Sequence, residues 1–600
     1  MDLLLKKRVS RSYIASLLLS AALVFVLARP LNNPWQPFIA GDGLGYYSYL
    51  PALFIYNDKD LSWEWFNEAH NRNYVYSVFE NPEDNLLVEY NGRKINKYYQ
   101  GLSFIWLPFF CIAHVLAQVS PFAADGYSMP YQLAIGLASL VYLLLGLYFL
   151  FRLILHFTLS NRTALFLTAA MFYGTWLFTY SVHTNSLSHL YSFTFVTGFY
   201  RYCTQLFFTR QIRYLYPAIF CLIITVCIRP LTGLAVFAVP AFIPSGFRWR
   251  SLSLSRLKPL NWLLLIFSIA AIYFTLSLNY TQTGSLVAYN YTGEGFDFGN
   301  ARFSEALFSY HNGTFVYVPL LLLSFGGLAF MSGKRRLILP VLFLAVIYLY
   351  SAWWYWSIVK RGLVDFYVFP ALMLGGYYSG LKQARYRLLI SVLIVLCTVY
   401  FQFKAMQIRR GVLDENYTHS ELFWANFFKV ERSNLYVVPP SSILHHQQYD
   451  EDLESEHTAK STKEKSHTGS TSLVLDKNNF ICTVAEHPLP AFYSGEGIRQ
   501  MRLSFYGYFE KGLSSVHIFF QFYDKQGEMI FEKPFYLNEE DIKPERWDYK
   551  EFGAELGNDD IPDISTIDKV RFTIWNVKPD NRLFIDDVRT EFFLTDRRSN

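Results

Sequence analysis

Charge is scarce in this chain. Only 17% of its 600 residues are Asp, Glu, Lys or Arg, against 52% hydrophobic and 19% aromatic. That balance is too apolar for a wholly soluble protein and opposite to that of a disordered one. Cysteine is scarcer still. Cys111, Cys203, Cys221, Cys227 and Cys397 lie in apolar runs, where a thiol behaves as a small hydrophobe, and Cys482 stands alone in a polar region. A disulfide scaffold is therefore excluded. No CxxC pair or Cys/His cluster has the spacing of a structural zinc site. The net charge of +5 is not gathered into a basic stripe, which argues against a nucleic-acid partner.

What is present divides near residue 440 into an apolar body and a polar tail. Runs of about 20 apolar residues span a hydrocarbon core, and lysine and arginine stay preferentially on the cytoplasmic side. The first run, to about Ala28, follows Lys6, Lys7, Arg8 and Arg11, with no small-residue cleavage site before Arg29-Pro30. It reads as an uncleaved anchor with its N-terminus inside. Further apolar segments lie near 101–118, 131–151, 163–181, 188–203, 214–228, 231–245, 260–279, 314–331, 337–353, 366–381 and 388–404.

Five basic loops belong inside by the same rule: Arg152/Arg162, Arg201/Arg210/Arg213, Arg248/Arg250/Arg256/Lys258, Lys334/Arg335/Arg336 and Lys382/Arg385/Arg387. All five fit only if one early segment does not cross. Segment 101–118, with Pro108 and His114, is assigned to that role as an interfacial or re-entrant helix. The expectation is a multi-span α-helical membrane body of about 11 spans over residues 1–404, with the C-terminus outside. A connecting segment and polar linker over 405–472 and a soluble domain over 473–600 follow.

In the tail the apolar period becomes two. Val516, Ile518, Phe520 and Phe522 alternate with other residues, as do Val570, Phe572 and Ile574. Short strands at this spacing predict an all-β, jelly-roll-like sandwich. The ending RLFIDDVRTEFF resembles the last strand of carbohydrate-binding modules. Asp586 and Asp587 are then candidates for a structural calcium, or are simply solvated; a sugar-binding and a purely structural tail both remain open.

The residues suited to chemistry fall in the segments assigned to the outer face. GDGLGYYSYLP puts Asp42 among glycines and Tyr46 just beyond, at a membrane edge where a carboxylate can serve as a general base. An Asp between two glycines also suits a plain turn. KYYQG supplies Lys97 and Tyr98, a cation for a phosphate or part of an interfacial belt. YSVHTNSLSHLYSF carries His183, Asn185 and His189, a hydrogen-bonding patch for a polar ligand. Arg229 in CIRPLTG breaks the positive-inside pattern. An anion would explain it, and so would snorkelling to headgroups. The loop from Tyr289 holds Glu294, Asp297, Arg302, Glu305 and His311. WWYWSIVKRGLVDFYVFP holds Trp353, Trp354, Trp356, Lys360, Arg361 and Asp365. Aromatic faces beside cations hold sugars and phosphates, and also make ordinary aromatic belts.

This set of segments, in this order over roughly residues 1–400, resembles the GT-C membrane glycosyltransferases. More narrowly, it looks like the bacterial relatives of the protein O-mannosyltransferases and of the lipid A aminoarabinose transferases. KYYQG lacks the two prolines of the corresponding family stretch, and no second acid pairs with Asp42 as a metal-binding partner. The resemblance implies a polyprenyl-phosphate sugar donor, a hydroxyl-bearing acceptor, and inverting transfer at the outer face of a bacterial inner membrane, with Asp42 catalytic. Arg229, Lys97, Lys360 and Arg361 would hold the donor phosphate. Tyr46, Tyr98, His183, Asn185, His189, Glu294, Asp297 and His311 would line the substrate. No cofactor is required, although a divalent cation is not excluded. A transporter or flippase for a lipid-linked or small polar solute is the alternative; it would more often show internal repeats, and none is evident.

Overall fold

The structure is a computed structural model. It describes residues 11–32, 37–66, 86–253, 258–353, 359–413, 418, 420–430, 443–451, 461–494, 498–510, 516–537, 544–556, 566–577 and 580–595. Lys6, Lys7, Arg8, Arg256, Trp354 and Trp356 lie outside the described residues. The chain forms two compact units, Met1–Arg409 with Glu415–Tyr417, and Arg410–Asp414 with Thr418–Asn600.

The first unit is helical. Among the described residues, four helices are long and apolar enough to cross a membrane: Gly101–Gln118, Met129–Thr158, Pro259–Thr283 and Ala384–Arg409. Asn161–Tyr173 and Trp176–Val182 make a fifth if the pair, bent by 69°, counts as one span. This is well short of the eleven spans expected, and the chemistry of the breaks explains why. Pro319 lacks an N–H and restricts Val318, so the run 314–331 splits into Thr314–Tyr317, Pro319–Gly326 and a 3-10 turn. The run after Arg229 becomes a 3-10 helix, Pro230–Ala241, with Pro240 inside it. Leu215–Ile228 has 14 residues and Val368–Gly380 has 13. At 1.5 Å per residue these reach only about 20 Å of a core about 30 Å thick. Segment 101–118, assigned from its sequence as an interfacial or re-entrant helix, is one continuous helix of spanning length with Pro108 inside it.

Ser188–Thr209 is buried on nearly every side, hydroxyls included. Surrounded in this way, it is the central helix of the unit. A short hairpin, β1 (Leu87–Tyr90) and β2 (Arg93–Asn96), precedes Gly101–Gln118.

The second unit is a two-sheet β structure. Its strands are β3 (Ile443–Asp450), β4 (Ser461–Thr462), β5 (Ser472–Leu475), β6 (Ile481–Pro488), β7 (Ile498–Phe509), β8 (Val516–Tyr523), β9 (Met529–Leu537), β10 (Trp547–Leu556), β11 (Lys569–Asn576) and β12 (Leu583–Thr595). One sheet runs β10-β7-β12-β5-β4, with β3 also paired to β12; the other runs β6-β11-β8-β9. The expected alternation holds: Val516, Ile518, Phe520 and Phe522 point inward and meet Leu503, Phe505, Phe572 and Phe592 in one core.

The polar linker needs correction, because ILHHQQYD within it forms β3. Its ring-bearing side chains, not its hydrophobicity, attach it. Tyr449 stacks on His487 at 3.9 Å and His446 on Phe593 at 4.5 Å. Asp586 accepts from the backbone N–H groups of His467 and Thr468, and Asp587 meets the side chains of the same two residues. These carboxylates fasten the 467–468 segment to β12. Among the described residues, no group of three or more His, Cys, Asp or Glu side chains is arranged to hold a metal.

Candidate functional site

The polar side chains of the helical unit gather at helix ends. Asp42 opens helix Asp42–Phe54. Lys97 and Tyr98 precede Gly101–Gln118, Ser188 and His189 open Ser188–Thr209, and Arg229 closes Leu215–Ile228. Tyr350 is in the last turn of Arg335–Ser351, and Arg361 and Asp365 precede Val368–Gly380.

Two glycines of GDGLG make this convergence sterically possible. A Cβ on Gly43 would lie 2.1 Å from Ser186 Oγ, and one on Gly45 would lie 2.2 Å from the Tyr98 ring. The Asp42 turn can therefore approach both neighbours only without those side chains.

Asp42 sits at one end of a continuous chain of contacts. Tyr98 donates to Asp42 Oδ1 at 2.9 Å, and Arg361 Nη1 donates to Oδ2 at 3.2 Å. The Tyr98 and Tyr46 rings meet edge to face at 4.8 Å. Tyr46 donates to Ser188 Oγ at 3.1 Å, and the same oxygen accepts from Arg229 Nη1 at 3.2 Å. Arg229 Nη2 donates to the Tyr350 hydroxyl at 2.8 Å. Its Nε lies 3.1 Å from Asp365 Oδ2, an ion pair without hydrogen-bond alignment, so both atoms keep an unfilled bonding position. Asp365 Oδ1 is 3.1 Å from His189 Nδ1. Beside this chain, Lys97 pairs with Glu294 at 2.8 Å and lies near the Tyr98 and Tyr291 rings.

Exposure separates the acids. The Asp42 and Arg361 side chains are 23% and 24% exposed, whereas Asp365 is fully buried. A ligand arriving from outside can reach Asp42 directly. Burial, together with the neighbouring Asp42 charge, holds the Tyr98 phenol well above its ordinary range, so it remains a donor. Burial pushes the Asp365 carboxyl up to about 7, with Arg229 pulling the other way.

Asp42, Tyr46, Tyr98, Lys97, His189, Arg229, Glu294 and Arg361 are thus brought together. Other candidates are placed differently. Lys360 is buried with its ammonium 5.4 Å from the Trp176 ring centre. His183 contacts Arg409. Asp297 caps its own turn through Gly299 and Asn300. Asn185 is buried beside Ser186, and neither of its amide atoms has a hydrogen-bond partner. His311 follows helix Phe303–Phe308.

Ser188, Tyr291, Tyr350 and Asp365 complete the cluster. The sequence carried one signal for Asp365: it is the only acidic residue between Glu305 and Asp414. A lone acid beside an apolar run requires a buried cation.

No protein-family model matches the chain, and no curated protein is similar to it.

Proposed function

We propose that this protein is a membrane glycosyltransferase. It moves a sugar from a polyprenyl-phosphate donor to a hydroxyl acceptor at the non-cytoplasmic face of a bacterial inner membrane. The observation that carries the reading is an accessible carboxylate, Asp42, held between a phenol donor and a guanidinium, with a second arginine, Arg229, reached through Tyr98, Tyr46 and Ser188.

In the absence of donor each cation of the cluster has an internal carboxylate: Arg361 has Asp42, Arg229 has Asp365, and Lys97 has Glu294. An incoming donor phosphate competes for Arg361 and takes hydrogen bonds from Arg229, whose planar forks suit phosphate oxygens. Asp42 is then released from Arg361 while Tyr98 still orients it. Asp42 removes the proton from the acceptor hydroxyl, and the oxygen attacks the anomeric carbon. The bond from that carbon to phosphate oxygen breaks, and polyprenyl phosphate leaves with the electron pair. A single displacement inverts the anomeric centre. General-base assistance supplies about 10²- to 10⁴-fold, and the arginines stabilise the departing charge.

A lipid tail would lie along the exposed face of helix Pro259–Thr283, the face opposite Gln282. Helix Pro259–Thr283 carries an apolar groove of about 500 Å³ lined by Ile269, Ile272, Tyr273, Leu276 and Tyr280. Gln282 of the same helix bonds to the Tyr49 hydroxyl and the Asn96 carbonyl, in the elements that carry Asp42 and Tyr98. The breaks at 174–175 and 318 suit a transporter equally well. The polar cluster lies at helix ends rather than at these breaks, which favours surface chemistry. The test is incubation of the purified protein with a panel of radiolabelled polyprenyl-phosphate sugars and hydroxyl acceptors. Label leaving the lipid supports the reading, and label retained across the panel opposes it.

A further inference from the structure

From residue 126 to residue 293 the chain has no Asp or Glu. The helices built from this stretch nevertheless bring arginines together at the end of the bundle opposite Asp42. Ser188–Thr209 begins in the candidate site and reaches Arg201 after about 20 Å, at 1.5 Å per residue. Leu215–Ile228 runs back, with Arg213 before its start and Arg229 after its end. Arg152 lies near the end of Met129–Thr158, and Arg335 opens Arg335–Ser351.

Arg201 is only 8% exposed. It lies within electrostatic reach of Arg152, Tyr148, Tyr202 and Tyr214. With its amide oxygen facing the guanidinium, Gln205 accepts from Arg201 Nη2 at 3.0 Å. Arg152 donates to the Tyr148 hydroxyl at 3.1 Å. Arg213 donates to the Tyr214 hydroxyl at 3.3 Å, and its Nε is buried with no hydrogen bond. Among the described residues no carboxylate pairs with Arg152, Arg201 or Arg213. At the other end of the bundle Lys97, Arg229 and Arg361 each have one.

A buried guanidinium without a counter-charge is strongly unfavourable, and a second one nearby makes it worse. We propose that Arg152, Arg201 and Arg213 form a binding site for a phosphate-bearing anion, with Tyr148 and Tyr214 holding the Arg152 and Arg213 forks in place. A phospholipid headgroup and free phosphate share this chemistry. Asn261, in the first turn of Pro259–Thr283, donates to the Arg213 carbonyl at 2.8 Å and ties that helix to the cluster.

The test uses the full chain in detergent and reads binding without turnover, so it stands or falls apart from glycosyl transfer. Native mass spectrometry compares dioleoyl phosphatidylglycerol with dioleoyl phosphatidylcholine. Thermal unfolding compares inorganic phosphate with chloride at equal ionic strength. Preferential retention of phosphatidylglycerol identifies the lipid headgroup, and stabilisation by phosphate without that preference identifies a free anion. Either effect should weaken about tenfold in Arg152→Gln and in Arg213→Gln, since each removes a charge-assisted bond. It should be unchanged in Lys382→Gln, which removes an exposed charge elsewhere. Arg201→Gln should abolish it; if that variant does not fold, the other two carry the test. Equal binding of both lipids with no phosphate effect overturns the site. So does wild-type binding by both arginine variants, or an equal loss in Lys382→Gln.

Discussion

Replacing Tyr98 by Phe removes one hydroxyl and leaves the ring where it is. That hydroxyl donates to Asp42 Oδ1 at 2.9 Å, while the ring packs on Tyr46 at 4.8 Å. A hydrogen bond to a charged group is worth about 1.5–3 kcal/mol. If the bond orients the base in the transition state, its loss lowers kcat by about 10- to 150-fold. Tyr98 has no hydrogen bond to Arg229 or Arg361, so donor KM should move little, and the retained ring should leave thermal stability near wild type. Gly45→Ala provides an independent route to the same result. Its Cβ would fall 2.2 Å from the Tyr98 ring, forcing that ring from Asp42. Initial-rate measurements with the active donor, with unfolding in detergent as the control, check both variants. Full turnover in Tyr98→Phe would refute a positioning role for the hydroxyl. A change confined to KM would move Tyr98 to donor binding.

Arg229→Gln should weaken donor binding about tenfold or more and reduce turnover less; unchanged donor affinity in equilibrium binding would leave this arginine only a structural partner of Asp365. Asp365→Asn breaks a fully buried pair and should destabilise the helical unit by about 3–5 kcal/mol, read as a lower unfolding temperature in detergent, and an unchanged temperature would contradict the burial argument. In the β unit, Phe572→Ala should cost about 3–5 kcal/mol by chemical denaturation of residues 410–600 expressed alone, whereas a loss below about 1 kcal/mol would show that the two sheets do not share this core. Lys569 and Arg571 hold the Glu486 carboxyl below its ordinary 4.5, so its contribution is present above that pH and disappears as pH falls through the depressed folded value. Because Glu486 is about one-third exposed, that contribution should be under about 1 kcal/mol, and Glu486→Gln should flatten the acid limb of the stability profile by no more.

Side chains with unusual surroundings in the sequence were the legible part of the site. Asp42 among glycines, Arg229 in an apolar hairpin, and the Lys97 and Arg361 segments each stood out locally, and they converge. Ser188 and Tyr350 did not stand out, because their roles come from which helix ends meet, and that is decided by packing. Asp297 looked equally reactive, but its turn uses both carboxylate oxygens locally. In the fold, the period-two pattern of Val516 to Phe522 located a strand correctly because one face is buried. β3 was invisible to the same test, since ILHHQQYD attaches through ring stacking and edge pairing. Hydropathy overcounted the spans because it scores apolar length and ignores where proline removes a backbone donor.

The most direct test of the central claim is transfer by Asp42→Asn, measured with labelled polyprenyl-phosphate sugar alongside donor binding. Asn keeps the size and loses the base, and it frees Arg361 from its carboxylate partner. The account expects transfer to fall to background, by about 10²-fold or more, with donor bound as tightly as in wild type or more tightly. Transfer retained at the wild-type rate would contradict it.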